Sequence, residues 1–140
     1  MFNPNKEFWD IFEDIYEFFE SGRPRLLVSK IYRPPANVFE TDELIVIQLS
    51  LSGTRREDIR VEYSGEYLTV RGIRRDMDPE TGRKYHTVEI FFGPFERKFC
   101  VGKEIDVDNI ETRYADGLLV IKIPKKKKRS VEIEVIEEEE

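Results

Sequence analysis

A single cysteine, a single histidine and no long apolar run narrow the chemistry open to this chain. Cys100 has no second thiol, which excludes an intrachain disulfide and a cysteine zinc cage, fits a reducing compartment, and predicts a small packing residue in a strand. His86 lies between Tyr85 and Thr87 with no Gly-x-Ser-x-Gly elbow or other catalytic motif, so no enzyme is expected. No Gly-rich phosphate loop is present, and neither ATP nor any other cofactor is predicted. Asp76, Asp78 and Glu80 imitate the start of a calcium loop. However, Thr81 stands where the turn needs glycine and Thr87 where a bidentate glutamate belongs, which leaves a polar loop and no metal. No stretch approaches the roughly 18 apolar residues of a spanning helix, and the first residues lack a basic segment followed by an apolar run. The cytoplasm is the expected location.

Charge is what the chain has in excess. Charged residues make up 37% of it, against roughly 25% in an average soluble protein, and the hydrophobic fraction is 39%. Glu, Arg and Lys supply most of the charge while Asn and Gln are scarce, the composition of ion-pair networks built for high temperature, so a thermophilic source is expected. The net charge of −6 leans on Glu137–Glu140, leaving the rest of the chain closer to neutral. Lys125–Arg129 is a basic pentamer directly followed by an acidic tail, and the two blocks offset each other's field. A solvated spacer is predicted there, and nucleic acid is not an expected partner.

Three regions follow from the patterning. Residues 1–35 open with Asn3 and Pro4 as a helix start, and Phe8, Ile11, Phe12, Ile15, Phe18 and Phe19 then recur at helical spacing. Trp9 and Tyr16 widen this apolar face, opposite Asp10, Glu13, Asp14, Glu17 and Glu20. Seven of the chain's seventeen aromatic residues lie between Phe2 and Phe19, so the helix either caps its own domain or presents an adhesive surface. Its acidic polar face argues against a membrane-surface role. Ser21 and Gly22 end it, and Pro24, Pro34 and Pro35 mark a linker.

From residue 36 to 124 the period changes to two. Val38 and Phe39 mark a short strand. In Leu44–Leu51, Ile45, Ile47, Leu49 and Leu51 share a face. Ile59, Val61 and Tyr63 turn through Ser64–Glu66 into Leu68 and Val70. A polar loop spans Arg74–Lys84. Strand character returns at Tyr85–Phe92, breaks at Gly93 and Pro94, and resumes at Phe95, Phe99 and Val101. Ile110, Thr112 and Tyr114 form a last hairpin with Leu118–Ile123 around Asp116 and Gly117, and Pro124 stops it. The fold predicted is all-β, an antiparallel immunoglobulin-like sandwich. In the 125–140 tail, Val131, Ile133 and Val135 alternate with Glu132 and Glu134, as β-strand addition to an exposed edge requires.

Thr-Arg-Tyr-Ala-Asp-Gly-Leu-Leu at Thr112–Leu119, continuing Val-Ile-Lys-Ile-Pro, resembles the signature near the end of the α-crystallin domain of small heat-shock proteins. Asp116 replaces the family's Asn, Leu118 its Val and Thr112 its Ala, while Gly117 and Leu119 match. Leu51-Ser52-Gly53, Tyr67–Gly72 and Phe95-Glu96-Arg97-Lys98-Phe99 extend the resemblance over residues 36–124. It implies that Tyr85, His86 and Val88 belong to an arm exchanged within a dimer. It also implies that Val131, Ile133 and Val135 dock in a neighbour's groove between the strand of Ile59, Val61 and Tyr63 and that of Ile110, Thr112 and Tyr114. Val131/Ile133 and Ile133/Val135 both fit the docking pair. The implied function is an ATP-independent holdase for partly unfolded proteins, assembled as a homo-oligomer of dimers, with the aromatic N-terminal face contacting clients. A co-chaperone-like sandwich that binds one folded partner is the alternative.

Overall fold

The computed structural model describes residues 31–127 and 130–139. The expected N-terminal helix and its proposed client-binding residues, Phe8, Trp9, Ile11, Phe12, Ile15, Tyr16, Phe18 and Phe19, lie outside that range. Seven strands occur: β1 (Ala36–Glu40), β2 (Leu44–Ser50), β3 (Ile59–Ser64), β4 (Tyr67–Arg74), β5 (Gly93–Cys100), β6 (Glu111–Ala115) and β7 (Leu118–Pro124). They form a four-stranded sheet in the order β1-β2-β7-β6 and a three-stranded sheet in the order β3-β4-β5. Every ladder between named strands is antiparallel, as the alternating pattern predicts.

Period-two burial makes the core. Ile45, Ile47 and Leu49 of β2 and Leu119, Ile121 and Ile123 of β7 face Leu68, Val70, Phe95 and Phe99 across the sandwich, and Leu51 and Ile105 close its ends. Gly72 is dictated by packing rather than by conformational freedom. It pairs with Phe95, and a Cβ there would lie 2.2 Å from the Phe95 ring and 2.4 Å from the Asp58 carbonyl oxygen. The β6–β7 turn has the opposite cause: Asp116 and Gly117 adopt φ of 53° and 77°, the mirror-image turn that matches strand twist.

Four expectations require correction. Tyr85–Phe92 forms no strand, because β4 is already paired on both sides and the segment meets no neighbour among the described residues to complete a backbone ladder. The irregular connection therefore runs from Arg75 to Phe92. β5 begins at Gly93, so Gly93 and Pro94 continue the strand where a break was expected. Pro94 can pair at this sheet edge, where its missing N–H breaks no ladder. The presumed linker contributes to the sandwich from Tyr32 onward. Tyr32 bridges β5 in parallel, exchanging bonds with Pro94 and Glu96 of 3.1 Å each, and Ser50 N–H donates to the Pro35 carbonyl at 3.0 Å. This strap crosses from one sheet to the other. Cys100, finally, is exposed rather than packed, since it alternates out of the core beside buried Phe99.

Candidate functional site

β3 and β6 are edge strands of opposite sheets, and their inner faces diverge to leave a groove. Ile59 and Val61 line one side and Thr112 and Tyr114 the other, with Leu119 and Arg56 completing a cavity of about 390 Å³. Four of the six expected groove residues thus converge. Tyr63 and Ile110 do not line this cavity, although they pack partly buried against the core as Ile59, Val61 and Tyr114 do. Arg56 and Leu119 were not anticipated. Leu119 is legible as part of the alternation with Ile121 and Ile123, whereas Arg56 lies in a single 3-10 turn, Arg56–Asp58, whose facing no periodicity reveals.

Both tyrosines are anchored. The Tyr114 hydroxyl lies 2.9 Å from the Leu51 carbonyl oxygen and 2.7 Å from that of Thr54, and so ties β6 to the turn after β2. Burial pushes its pKa up, and the bond to Thr54 only partly offsets this. The Tyr63 hydroxyl donates to the Gly102 carbonyl at 2.9 Å. A groove with fixed walls loses little entropy on filling. The signature turn supports the same wall: Leu51 N–H donates to the Gly117 carbonyl at 2.7 Å, and a Cβ on Gly117 would meet the Ser52 Cα at 2.9 Å.

A segment of alternating pattern occurs in the same chain. Val131, Ile133 and Val135 are 59%, 83% and 92% exposed and sit in no sheet. Ile136, at 84%, adds an apolar residue that breaks the alternation.

The exposed loop after β4 is ordered at its tip by Arg83. The guanidinium donates to the Asp76 carboxylate, to the Asp78 carbonyl at 2.6 Å, to the Glu80 carbonyl at 3.0 Å and to the Tyr85 hydroxyl at 2.9 Å. Asp76 and Asp78 also accept backbone N–H groups two residues on, at 3.0 and 3.1 Å. These carboxylates therefore build turns. Among the described residues no group of His, Cys, Asp and Glu is placed to hold a metal. Arg83 holds the Asp76 carboxyl below the usual carboxylate range. Tyr85, His86 and Val88 follow this clasp, all exposed. Among the described residues no helix is long and apolar enough to cross a membrane.

Known proteins resemble this chain in sequence and fold. Small heat shock protein C2 of Rickettsia felis is 30% identical over 130 residues, 90% of this chain and 81% of that protein. The structure of heat shock protein 16.0 from Schizosaccharomyces pombe superposes with a TM-score of 0.63 at 28% identity, covering 76% of this chain and 99% of that one. A small heat-shock protein from Xylella fastidiosa has the same fold, with a TM-score of 0.67 at 23% identity over 76% of this chain and 98% of that one. Residues 37–136 match the Hsp20/alpha crystallin family from the first strand to the tail, and the chain belongs to that family.

Proposed function

We propose that this chain is an ATP-independent holdase that binds partly unfolded proteins and keeps them from aggregating under heat or other stress. The observation that carries the reading is that one chain holds both an open groove walled by Ile59, Val61, Thr112, Tyr114 and Leu119 and an exposed Val-x-Ile-x-Val segment whose alternation suits it. The tail of one copy in the groove of another links copies without nucleotide or metal. Each seated Val or Ile gains about 1.5–3 kcal/mol, much of it offset by ordering the tail, so single contacts are weak and reversible while many together are firm. Heat then opens the assembly by loosening many small contacts at once.

Dimers form the unit of assembly in this reading, through exchange of the arm that holds Tyr85, His86 and Val88. The Arg75–Phe92 connection supports this, since Val88, Ile90 and Phe92 alternate in a segment with no partner strand of its own and are 68%, 64% and 45% exposed. Clients would be held by the aromatic face of residues 1–22.

The test is light scattering from a heat-labile enzyme warmed with an equimolar amount of the full chain and no ATP. Suppression of the scattering rise is expected. A rise equal to that of the enzyme alone would sink the holdase reading.

A further inference from the structure

The groove has one charged lining residue. Arg56 lines it beside Ile59 and Tyr114, from the turn that leads into β3. Its charged neighbours are engaged elsewhere: Arg55 with Glu57 at 4.0 Å, Arg60 with Glu62 at 2.8 Å, and Asp58 with Arg75 at 3.1 Å. The Arg56 carbonyl accepts the Ile59 N–H, but its side chain makes no hydrogen bond or ion pair among the described residues. A guanidinium lining a cleft beside Ile, Val and Leu side chains favours an occupant that brings carboxylates next to its apolar side chains.

The tail has that composition. When Val131 and Ile133 are seated, Glu132 lies between them and Glu134 follows; when Ile133 and Val135 are seated, Glu134 lies between and Glu132 precedes. Either way both glutamates border the seated pair, within the roughly 7 Å that separates alternate residues of a strand. We infer that Arg56 is an electrostatic latch that pairs with Glu132 or Glu134 of a second copy's tail and selects this acidic strand over a neutral or basic one of equal hydrophobicity. The inference rests on the proposed docking of tail in groove and adds to it a residue that sets specificity and salt dependence.

An exposed pair of this kind is worth about a twofold to fivefold change in affinity per contact. The test uses the full chain in a dilution series read by light scattering at low salt and at about 0.5 M NaCl, where the screening length is well under 8 Å. Arg56→Glu is expected to raise the concentration at which the assembly dissociates by at least that factor at low salt, and by less at high salt. Glu132→Arg with Glu134→Arg should do the same. Combining all three changes should restore assembly above either parent. Arg56→Gln gives the smaller loss of an absent charge and replaces Arg56→Glu if circular dichroism shows that variant misfolded. Ile133→Ala with Val135→Ala separates the two levels of the argument. If that pair dissociates the assembly while Arg56→Glu or Arg56→Gln leaves it unchanged, or if the triple variant recovers nothing, the latch is refuted and docking survives. If the alanine pair leaves the mass unchanged, docking and latch fall together.

Discussion

Replacement of Gly72 by alanine gives the sharpest check on the packing described above. On general grounds the change should help, since alanine strengthens a strand by roughly 0.5–1 kcal/mol over glycine and buries a methyl group. The geometry reverses the sign. The new Cβ would sit 2.2 Å from Phe95 Cζ and 2.4 Å from the Asp58 carbonyl oxygen, and Phe95 is 1% exposed at the centre of the core. An ordinary contact needs more than an ångström of additional separation on both sides, and a close-packed interior cannot supply it. Overpacking of this kind costs about 1–3 kcal/mol, and with ring and backbone both obstructing, about 3 kcal/mol is expected. With a guanidinium slope of roughly 4 kcal/mol/M, the midpoint should fall by roughly 0.7 M. Variants must be compared at one protomer concentration, because assembly adds to apparent stability. Gly65→Ala is the control, since a Cβ there meets nothing within 4 Å and the only strain is its φ of +67°. That strain costs about 1–2 kcal/mol. Phe95→Leu added to Gly72→Ala should recover part of the loss, with the Asp58 carbonyl clash remaining. A cost for Gly72→Ala no larger than that for Gly65→Ala would refute the packing argument.

Tyr114→Phe removes the hydroxyl shared by the Leu51 and Thr54 carbonyls and should cost about 1–3 kcal/mol in chemical denaturation; a loss under about 0.5 kcal/mol would mean the groove wall stands without it. The Asp76 carboxyl has a lowered pKa in the folded chain, so its bond to Arg83 contributes in full above the ordinary value near 3.9 and is lost as pH falls below that, through the lowered value. Amide exchange across 76–85 should therefore quicken on acidification beyond its intrinsic pH dependence, and Arg83→Ala should show the quicker exchange already at neutral pH. If that variant protected the tip as well as the parent chain, the clasp would be irrelevant. Deleting residues 1–22 should reduce protection of a heated client more than it lowers the melting temperature of the sandwich, and undiminished protection would return the segment to a capping role.

Much of this was legible before any coordinates. Alternation marked the buried face of β2, and Asp116-Gly117 announced the last hairpin, because both signals act over neighbouring residues. Tyr85–Phe92 shows the limit: its alternation records strand propensity, but a strand also needs a partner, and none pairs with it among the described residues. Tyr32–Pro35 was hidden for a related reason. Prolines discourage a strand reading, yet they lose only the donor, and here the Pro34 carbonyl accepts from Arg97 at 2.7 Å and the Pro35 carbonyl from Ser50 at 3.0 Å. Val46 sits on the polar-out side of β2 but is 5% exposed, flanked across the ladders by Phe39 and Lys122. Of the groove, the β-strand walls followed from resemblance and alternation, while Arg56 emerged only when the 3-10 turn was placed in space.

The strap from Tyr32 to Pro35 also has a mechanical meaning. Tension applied from the N-terminal side runs along β5, so the Tyr32 bonds to Pro94 and Glu96 are loaded in shear, together, rather than peeled one at a time. The Arg97–Pro34 and Ser50–Pro35 bonds then carry the remainder into both sheets. In the proposed holdase reading, a polypeptide held by residues 1–22 would thus pull against an anchor on the β5–β1 flank. The β3–β6 flank, where the groove lies, is spared that load.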